Sequence, residues 1–208
     1  MTKFVAFDTE TCGTDPDVNG IIQIGGVIFQ CGRLRQSEIT VLKEFNITAN
    51  AYEAGCVEAS WVDYKTKETK TPFDVHGISN EVIATYQPYR SAYNELKSNL
   101  DKHIDKFNKE DKLIAIGYNI EFDMDMLFGM AKRNGDKYLG SYISRSAIDV
   151  MPLARWADAV GVLPFVPENH KLATMCEGFG IEINAHDALS DIKATVELLW
   201  KLNECLGI

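Results

Sequence analysis

The chain lacks the features of a secreted, disulfide-linked or membrane-embedded protein. Its cysteines are odd in number and include no close pair of the zinc-binding or redox kind, which favours a reducing compartment. They are Cys12, Cys31, Cys56, Cys176 and Cys205. No apolar run approaches the length that spans a bilayer. The first residues lead straight into a strand-like stretch, without the apolar leader of a signal peptide. We therefore expect a cytoplasmic protein that does not contact membranes.

The chain also lacks an excess of basic residues. It has 21 Lys and Arg against 30 Asp and Glu, a formal net charge of -9. Proteins that grip duplex nucleic acid through many phosphates normally show the opposite balance. Acidity alone does not exclude a nucleic-acid enzyme, because metal ions bound by clustered carboxylates reverse the local charge. We expect a short footprint on nucleic acid, or help from a partner.

Internal repeats and low-complexity tracts are absent from the 208 residues. This length suits one well-cored domain and is short for two. Hydrophobic residues make up 46% and charged residues 25%, which is ordinary for a soluble globular protein. We predict a single domain over residues 1–208.

The hydrophobic pattern predicts strands followed by alternating strands and helices. The predicted strands are residues 4–7, 21–29, 39–45 and 113–116. The predicted helices are residues 89–107, 120–133, 149–160, 171–179 and 187–206. Residues 46–74 have no clean periodicity and are predicted to be irregular. A strand meander followed by alternating elements predicts an α/β fold, with helices packed against a mixed sheet.

Two acidic residues, Asp8 and Glu10, follow the first apolar strand. Because side chains alternate along a strand, both carboxylates should project to the same side. Their mutual repulsion in a half-buried place is costly unless a cation lies between them. Hard divalent cations take carboxylate oxygens as ligands. The pair therefore predicts a metal site.

Three residues far along the chain could complete this site. Asp123 lies near the start of the helix after strand 113–116, and sites in open α/β sheets gather at such strand ends. Asp191 falls in the first turns of the last helix, and His186 stands just ahead of it. Four carboxylates can hold two divalent cations roughly 3.5 to 4 Å apart, and a histidine can accept the proton of the attacking water. The set predicts metal-dependent hydrolysis of a phosphodiester.

Taken singly, each of these features has a simpler explanation. Asp8 and Glu10 could mark only a strand that breaks into a turn, and Asp123 only an acid favoured by a helix dipole. His186 could be an exposed loop residue. Their joint occurrence favours the catalytic interpretation. The basic clusters at 65–70 and 132–137 could touch a nucleic-acid backbone, although charged loops are usually just solvated.

Three segments resemble the motifs of one known family. They are FDTETCG at 7–13, NIEFDMDML at 119–127 and HDALSDIKAT at 186–195. In this order they resemble the three exonuclease motifs of the DnaQ-like DEDD 3′-5′ exonucleases, in the branch that uses histidine. The resemblance implies a ribonuclease-H-like fold with a five-stranded mixed sheet flanked by helices.

The resemblance also implies roles for individual residues. Asp8, Glu10, Asp123 and Asp191 would bind two divalent cations, Mg²⁺ or Mn²⁺, and His186 would be the general base. A second set would contact the terminal nucleotide of the substrate. It consists of Thr9, Thr11, His76, Ile78 and Phe122.

We therefore expect an enzyme that releases nucleoside 5′-monophosphates from the 3′ end of single-stranded DNA. Proofreading beside a DNA polymerase or another nucleic-acid-processing partner is one setting for it. The nearest alternative is an RNA-trimming or oligoribonuclease-like enzyme, and either a monomer or a homodimer is expected. Two alternatives of another class are a nucleic-acid-binding module without activity and a hydrolase of small phosphodiesters.

Overall fold

The computed structural model describes residues 1–32, 34, 39–184 and 186–207. Seven strands are found in this part of the chain. They are β1 Thr2–Thr11, β2 Ile21–Cys31, β3 Thr40–Thr48, β4 Trp61–Val62, β5 Thr69–Lys70, β6 Leu113–Gly117 and β7 Ile143–Asp149. The α-helices are α1 Phe73–His76, α2 Asn80–Ile83, α3 Tyr89–Asp101, α4 Ile120–Arg133, α5 Val150–Ala159, α6 Leu172–Phe179 and α7 Ala188–Leu206.

Five of the strands form one mixed sheet in the order β3-β2-β1-β6-β7. The first three strands are antiparallel neighbours, as expected of a meander. β6 pairs in parallel with β1, and β7 pairs in parallel with β6. β4 and β5 form a separate antiparallel hairpin. The predicted mixed five-stranded α/β fold is confirmed.

Helices cover both faces of this sheet, so the central strand β1 is buried on both sides. Val5 and Phe7 belong to the core that β1 shares with α3 and α4. Phe4 and Ala6 belong to the core on the other face, with α5, α6 and α7. This two-sided burial explains why residues 4–7 are apolar without alternation.

Gly25 of β2 allows the start of α7 to lie directly against the sheet. A Cβ atom at this position would lie 2.2 Å from the carbonyl carbon of Ala188, the first residue of α7. Gly25 is paired across the ladder with Asp8. The missing side chain therefore places the start of α7 beside the acidic end of β1.

Most of the predicted elements are confirmed. α4 has the predicted bounds, and its inward residues Met126, Leu127 and Met130 are buried. Strands 21–29 and 113–116 and the helices from 149, 171 and 187 appear with bounds within two residues of those predicted. The first strand extends to Thr11, so Asp8 and Glu10 lie within it instead of after it. The third strand begins at Thr40 and extends to Thr48. The residues just before its predicted start at 39 lie outside the described ones.

Two predictions about secondary structure are wrong, and one strand was missed. The helix predicted to reach residue 107 ends at Asp101, because side chains of the following loop, such as Asp105 and Asp111, accept main-chain hydrogen bonds instead. β7 was not predicted, since its sequence is largely polar and exposed on one side. Residues 46–74 are not wholly irregular, because they contain the end of β3, the β4–β5 hairpin and the start of α1.

Candidate active site

A cavity of about 300 Å³ opens at the end of β1. It is bounded by β1, the β4–β5 hairpin, α1, the start of α4 and the start of α7. Every residue predicted for the site lines it except Ile78. The lining residues are Asp8, Thr9, Glu10, Thr11, Gly13, Thr14, Trp61, Pro72, Val75, His76, Tyr118, Asn119, Phe122, Asp123, His186 and Asp191. Residues distant in sequence are thus brought together at one place.

Asp8 and Glu10 lie two residues apart in β1, opposite Gly25 and Gln23 of β2. They therefore project to the same face, as predicted. Glu10 is only 8% exposed. Burial, followed by the charges of neighbouring acids, raises the pKa of Glu10 to about 8. The same causes raise the pKa of Asp8 well above its ordinary value.

Asp123 lies in the first turn of α4 and is 3% exposed. Its Oδ1 atom accepts two hydrogen bonds from Thr9, one from the main-chain N at 2.9 Å and one from Oγ1 at 2.7 Å. Burial raises the pKa of Asp123 to about 7, although the hydrogen bonds from Thr9 act in the opposite direction. Thr9 thus fixes one carboxylate oxygen of Asp123, a residue that lines the cavity.

The turn before α4 depends on Asn119 and Asp149. Asn119 has a φ of 64°, an uncommon left-handed conformation for a residue other than glycine. Its main-chain N donates to Oδ1 of Asp149 at 2.9 Å. The same Asp149 oxygen accepts from Met151 N and caps α5. One carboxylate at the end of β7 therefore holds the sharp turn that delivers Asp123.

His186 and Asp191 come from the loop before α7 and its first turn. His186 is exposed and also has a left-handed φ, of 71°. Its main-chain N donates to Oδ2 of Asp191 at 3.1 Å. Ligand atoms of Glu10, His186 and Asp191 lie within 4.8 Å of one another. The end of β1 and the start of α7 thus place three possible metal ligands close together.

The carboxylates of this cluster have the properties of a cation site. Burial raises the pKa of Asp191, partly offset by its hydrogen bond from His186. Oδ1 of Asp191 is buried and has no hydrogen-bond partner among the described residues. Buried acids without compensating donors are costly, and divalent cations bound by oxygen remove that cost. The donor set therefore fits the divalent metal ions that the exonuclease motifs imply.

His76 lines the same cavity and has one ring nitrogen without a partner among the described residues. Nδ1 of His76 accepts a hydrogen bond from Ile78 N at 3.0 Å, so the proton of the neutral ring lies on Nε2. Nε2 is buried and unpaired within the described part of the chain. Burial, and then the nearby His186, lowers the pKa of His76. A neutral ring with a free N–H can donate to an oxygen of a bound ligand.

The structure gives three predicted contact residues a role in the fold. Ile78 does not line the cavity, and its half-buried side chain packs against the core of α3 and α4. The hydroxyl of Thr11 donates to Gly13 O at 2.7 Å and closes the turn after β1. The hydroxyl of Thr9 is used on Asp123.

Sequence reasoning missed several lining residues. Trp61 is the largest of them and comes from the segment predicted to be irregular. Tyr118 also lines the cavity, and its hydroxyl donates to the main-chain oxygen of His170. An aromatic residue among turn formers and lysines was the only signal for Trp61.

Comparison with known proteins gives a family match over most of the chain. The family model described as "Exonuclease" matches residues 5–199. Two curated relatives are the PolC-type DNA polymerase III of Halalkalibacterium halodurans, 25% identical over 202 residues, and that of Oceanobacillus iheyensis, 27% identical over 201 residues. The matches cover 97% and 96% of this chain but only 11% of each relative.

Solved structures show the same fold. The zinc-bound complex of E. coli exonuclease I with single-stranded DNA has a TM-score of 0.73 and 18% identity. The match covers 98% of this chain and 41% of that one. Within the described residues, no helix combines the length and apolar character needed to cross a bilayer.

Proposed function

This chain belongs to the exonuclease family, in its DnaQ-like group, and from that premise we propose that it removes nucleoside 5′-monophosphates from the 3′ end of single-stranded DNA. One observation carries the proposal. Asp8, Glu10, Asp123, Asp191 and His186, the residues expected to perform the chemistry, all line a single cavity. We take residues 1–208 to be one exonuclease domain.

In this proposal the four carboxylates hold two divalent cations, Mg²⁺ or Mn²⁺. When bound, these ions would acidify the attacking water and neutralise charge that develops on the phosphate. The carboxylates come from both faces of the sheet, because Asp123 belongs to α4 and Asp191 to α7. The two cations would thus be held by acids from both sides of the sheet, and they, not the carboxylates, would attract the phosphate.

His186 accepts the proton of the attacking water. Its ring stands at the exposed edge of the cavity, where a proton can pass on to solvent. The hydrogen bond from its main-chain N to Asp191 ties its backbone to a proposed metal ligand. This tether keeps the imidazole close to the water that it must deprotonate, as a general base requires.

Three residues hold the terminal nucleotide. The free N–H of His76 donates to a phosphate or sugar oxygen, and Phe122, half-buried in the cavity wall, packs against the sugar or base. Thr11 also lines the cavity, although its hydroxyl is already used on Gly13. The small cavity admits one strand end more readily than a duplex.

The relatives support DNA as the proposed substrate. The E. coli neighbour is described in complex with single-stranded DNA, and the curated relatives are DNA polymerases. Since this chain matches about a tenth of those polymerases, we propose that it serves a polymerase or another DNA-processing partner as a proofreading or repair activity. Trimming of RNA is the competing possibility.

The proposal is tested with 12-residue strands of DNA and RNA, labelled at the 5′ end and incubated with Mn²⁺. We expect a ladder that shortens from the 3′ end one nucleotide at a time, with 5′-mononucleotides as products and DNA cut faster than RNA. Asp8→Asn should abolish the ladder. Asp125→Asn is the matched control, because Asp125 is an exposed acid of α4 that does not line the cavity.

Three results would contradict an exonuclease that acts from the 3′ end. Internal cuts would indicate an endonuclease, and release from the 5′ end would reverse the direction. No cleavage of either strand would favour a binding module. If RNA is cleaved faster than DNA, RNA is the preferred substrate and the proposed chemistry is unchanged.

A further inference from the structure

We propose that the β4–β5 hairpin, residues 61–70, binds the single strand on the 5′ side of the scissile bond, with Trp61 stacked on a base. This inference rests on the proposed function and adds a substrate-binding surface to it. The hairpin lies in the segment predicted to be irregular, and it includes the basic cluster at 65–70 that the sequence marked as a possible contact for a nucleic-acid backbone.

Trp61 is placed as a stacking platform at the rim of the cavity. Its side chain is 42% exposed although it lines the same cavity as Pro72, Val75 and His76. It belongs to neither hydrophobic core, and within the described residues it stacks on no other aromatic ring. An exposed indole beside a reacting phosphate is suited to the face of an unpaired base.

The hairpin is held in one shape by main-chain hydrogen bonds. The N atom of Asp63 donates to Glu68 O at 2.9 Å, and Lys67 N donates to Asp63 O at 2.8 Å. The carboxylate of Asp63 accepts from Lys65 N and Thr66 N at 2.8 and 2.9 Å. Side chains of such a short hairpin cannot form a core, so these bonds fix its shape. A preorganised surface binds a ligand with less loss of entropy.

The tip of the hairpin carries both an aromatic ring and positive charge. Tyr64 is 75% exposed, and Nζ of Lys65 lies 5.6 Å from its ring centre. Lys65 and Lys67 are exposed and form no ion pair within the described ranges. Lys70 lies opposite Trp61 in the register but is already paired with Glu68 and Asp74. In a chain of net charge -9, two lysines without an ion pair, one of them over an aromatic ring, favour a phosphate backbone.

The position of this tip decides which part of the strand it meets. Tyr64, Lys65 and Lys67 do not line the cavity, so they lie beyond the nucleotide that is removed. An exonuclease leaves only one nucleotide on the released side of the scissile bond. Any contact further out must therefore be with the strand that remains. Trp61, at the rim of the cavity, would stack on the first base of that strand, and the two lysines would contact its backbone beyond that base.

The test compares dT2 and dT12 as substrates of Trp61→Phe, Trp61→Ala and the double variant Lys65→Ala/Lys67→Ala. Trp61→Ala should raise KM for dT12 by about 5- to 150-fold, the range of one lost base stack, with kcat at saturation within about twofold. Trp61→Phe should keep most of the affinity. The double lysine variant should bind dT12 more weakly and dT2 as the wild type does. The slope of log K against log salt concentration for dT12 should become shallower by about 1.4, about 0.7 for each lost phosphate contact.

Trp156→Ala is the matched control, because Trp156 is 61% exposed on α5 and does not line the cavity. It should leave both substrates unaffected. Unchanged KM of Trp61→Ala on dT12 would overturn the proposal. A second result would also overturn it. If Trp61→Ala and Trp61→Phe both lower kcat, and both also lower the melting temperature, then Trp61 has a structural role instead. If the wild-type protein cuts neither strand, the proposed function fails instead.

Discussion

Glu10→Gln replaces a buried carboxyl group that can ionise with a neutral amide of the same shape. The folded state holds Glu10 among other acids, which raises its pKa from an ordinary 4.5 to about 8. The folded protein then binds this proton more tightly than the unfolded chain does. Stability of the wild type should therefore fall as the pH rises from 4.5 to about 8, and the loss should be complete above that range.

The size of the effect follows from the same pKa values. A tenfold change in proton affinity corresponds to about 1.4 kcal/mol, so ionised Glu10 destabilises the metal-free protein by up to about 5 kcal/mol at pH 9. For a chain of this length, 1 kcal/mol corresponds to about 2 to 4 °C in melting temperature. In EDTA, Glu10→Gln should melt up to about 10 to 20 °C above the wild type at pH 9 and close to it at pH 5.

Thermal melts at pH 5, 7 and 9, each with EDTA or with Mn²⁺, measure this difference. Saturating Mn²⁺ at 100 times its Kd should stabilise the wild type by about 2.7 kcal/mol and should stabilise the variant less, because a ligand is lost. Glu182→Gln, at an exposed loop position, is the control and should melt like the wild type throughout. A variant that is no more stable than the wild type at pH 9 in EDTA would refute the argument that the cluster is strained without a cation.

The remaining predictions concern turnover and the start of α7. Asp8→Ala and Asp191→Ala should abolish cleavage without lowering the melting temperature in EDTA, and collapse of either variant would contradict this. His186→Ala should reduce kcat on the order of 10² to 10⁴-fold, with Mn²⁺ affinity by calorimetry largely kept; unchanged turnover would mean that another group takes the proton. Gly25→Ala should cost about 1 to 3 kcal/mol of unfolding free energy, because its Cβ meets the main chain of Ala188. Its kcat, measured well below the melting transition, should also fall, and wild-type activity would show that α7 need not lie so close.

Local sequence was informative where periodicity and burial agree. The bounds of α4 follow from its apolar spacing. The three motifs and their order were enough to identify the four acidic residues and the histidine that line the cavity. β7 could not be predicted in the same way. Its strand conformation depends on pairing with β6, a partner 30 residues earlier, and not on its own alternation.

The contacts that position the site were beyond sequence reasoning for a related physical reason. Thr9 was expected to touch substrate, but its partner is Asp123, 114 residues away. Gly25 had no apparent significance until α7 was found against it. The hairpin that carries Trp61 has two residues in each strand and is held by the hydrogen bonds of Asp63, which hydrophobic periodicity does not register. These contacts are long-range or made by polar side chains, and the hydrophobic pattern of a single segment gives no information about either kind.

The location of the cavity follows from the unequal lengths of two neighbouring strands. β2 pairs along the whole of β1, whereas β6 pairs only with Phe4, Val5 and Ala6. Beyond Ala6 the second edge of β1 has no strand beside it in the described structure, and the N atom of Thr9 donates to Asp123 instead. The chain leaves β6 through the left-handed turn at Asn119, so α4 begins next to this open edge. Asp123 therefore occupies a place that a longer β6 would have filled with backbone, and the acids of β1 line an open cavity because the sheet ends early on that side.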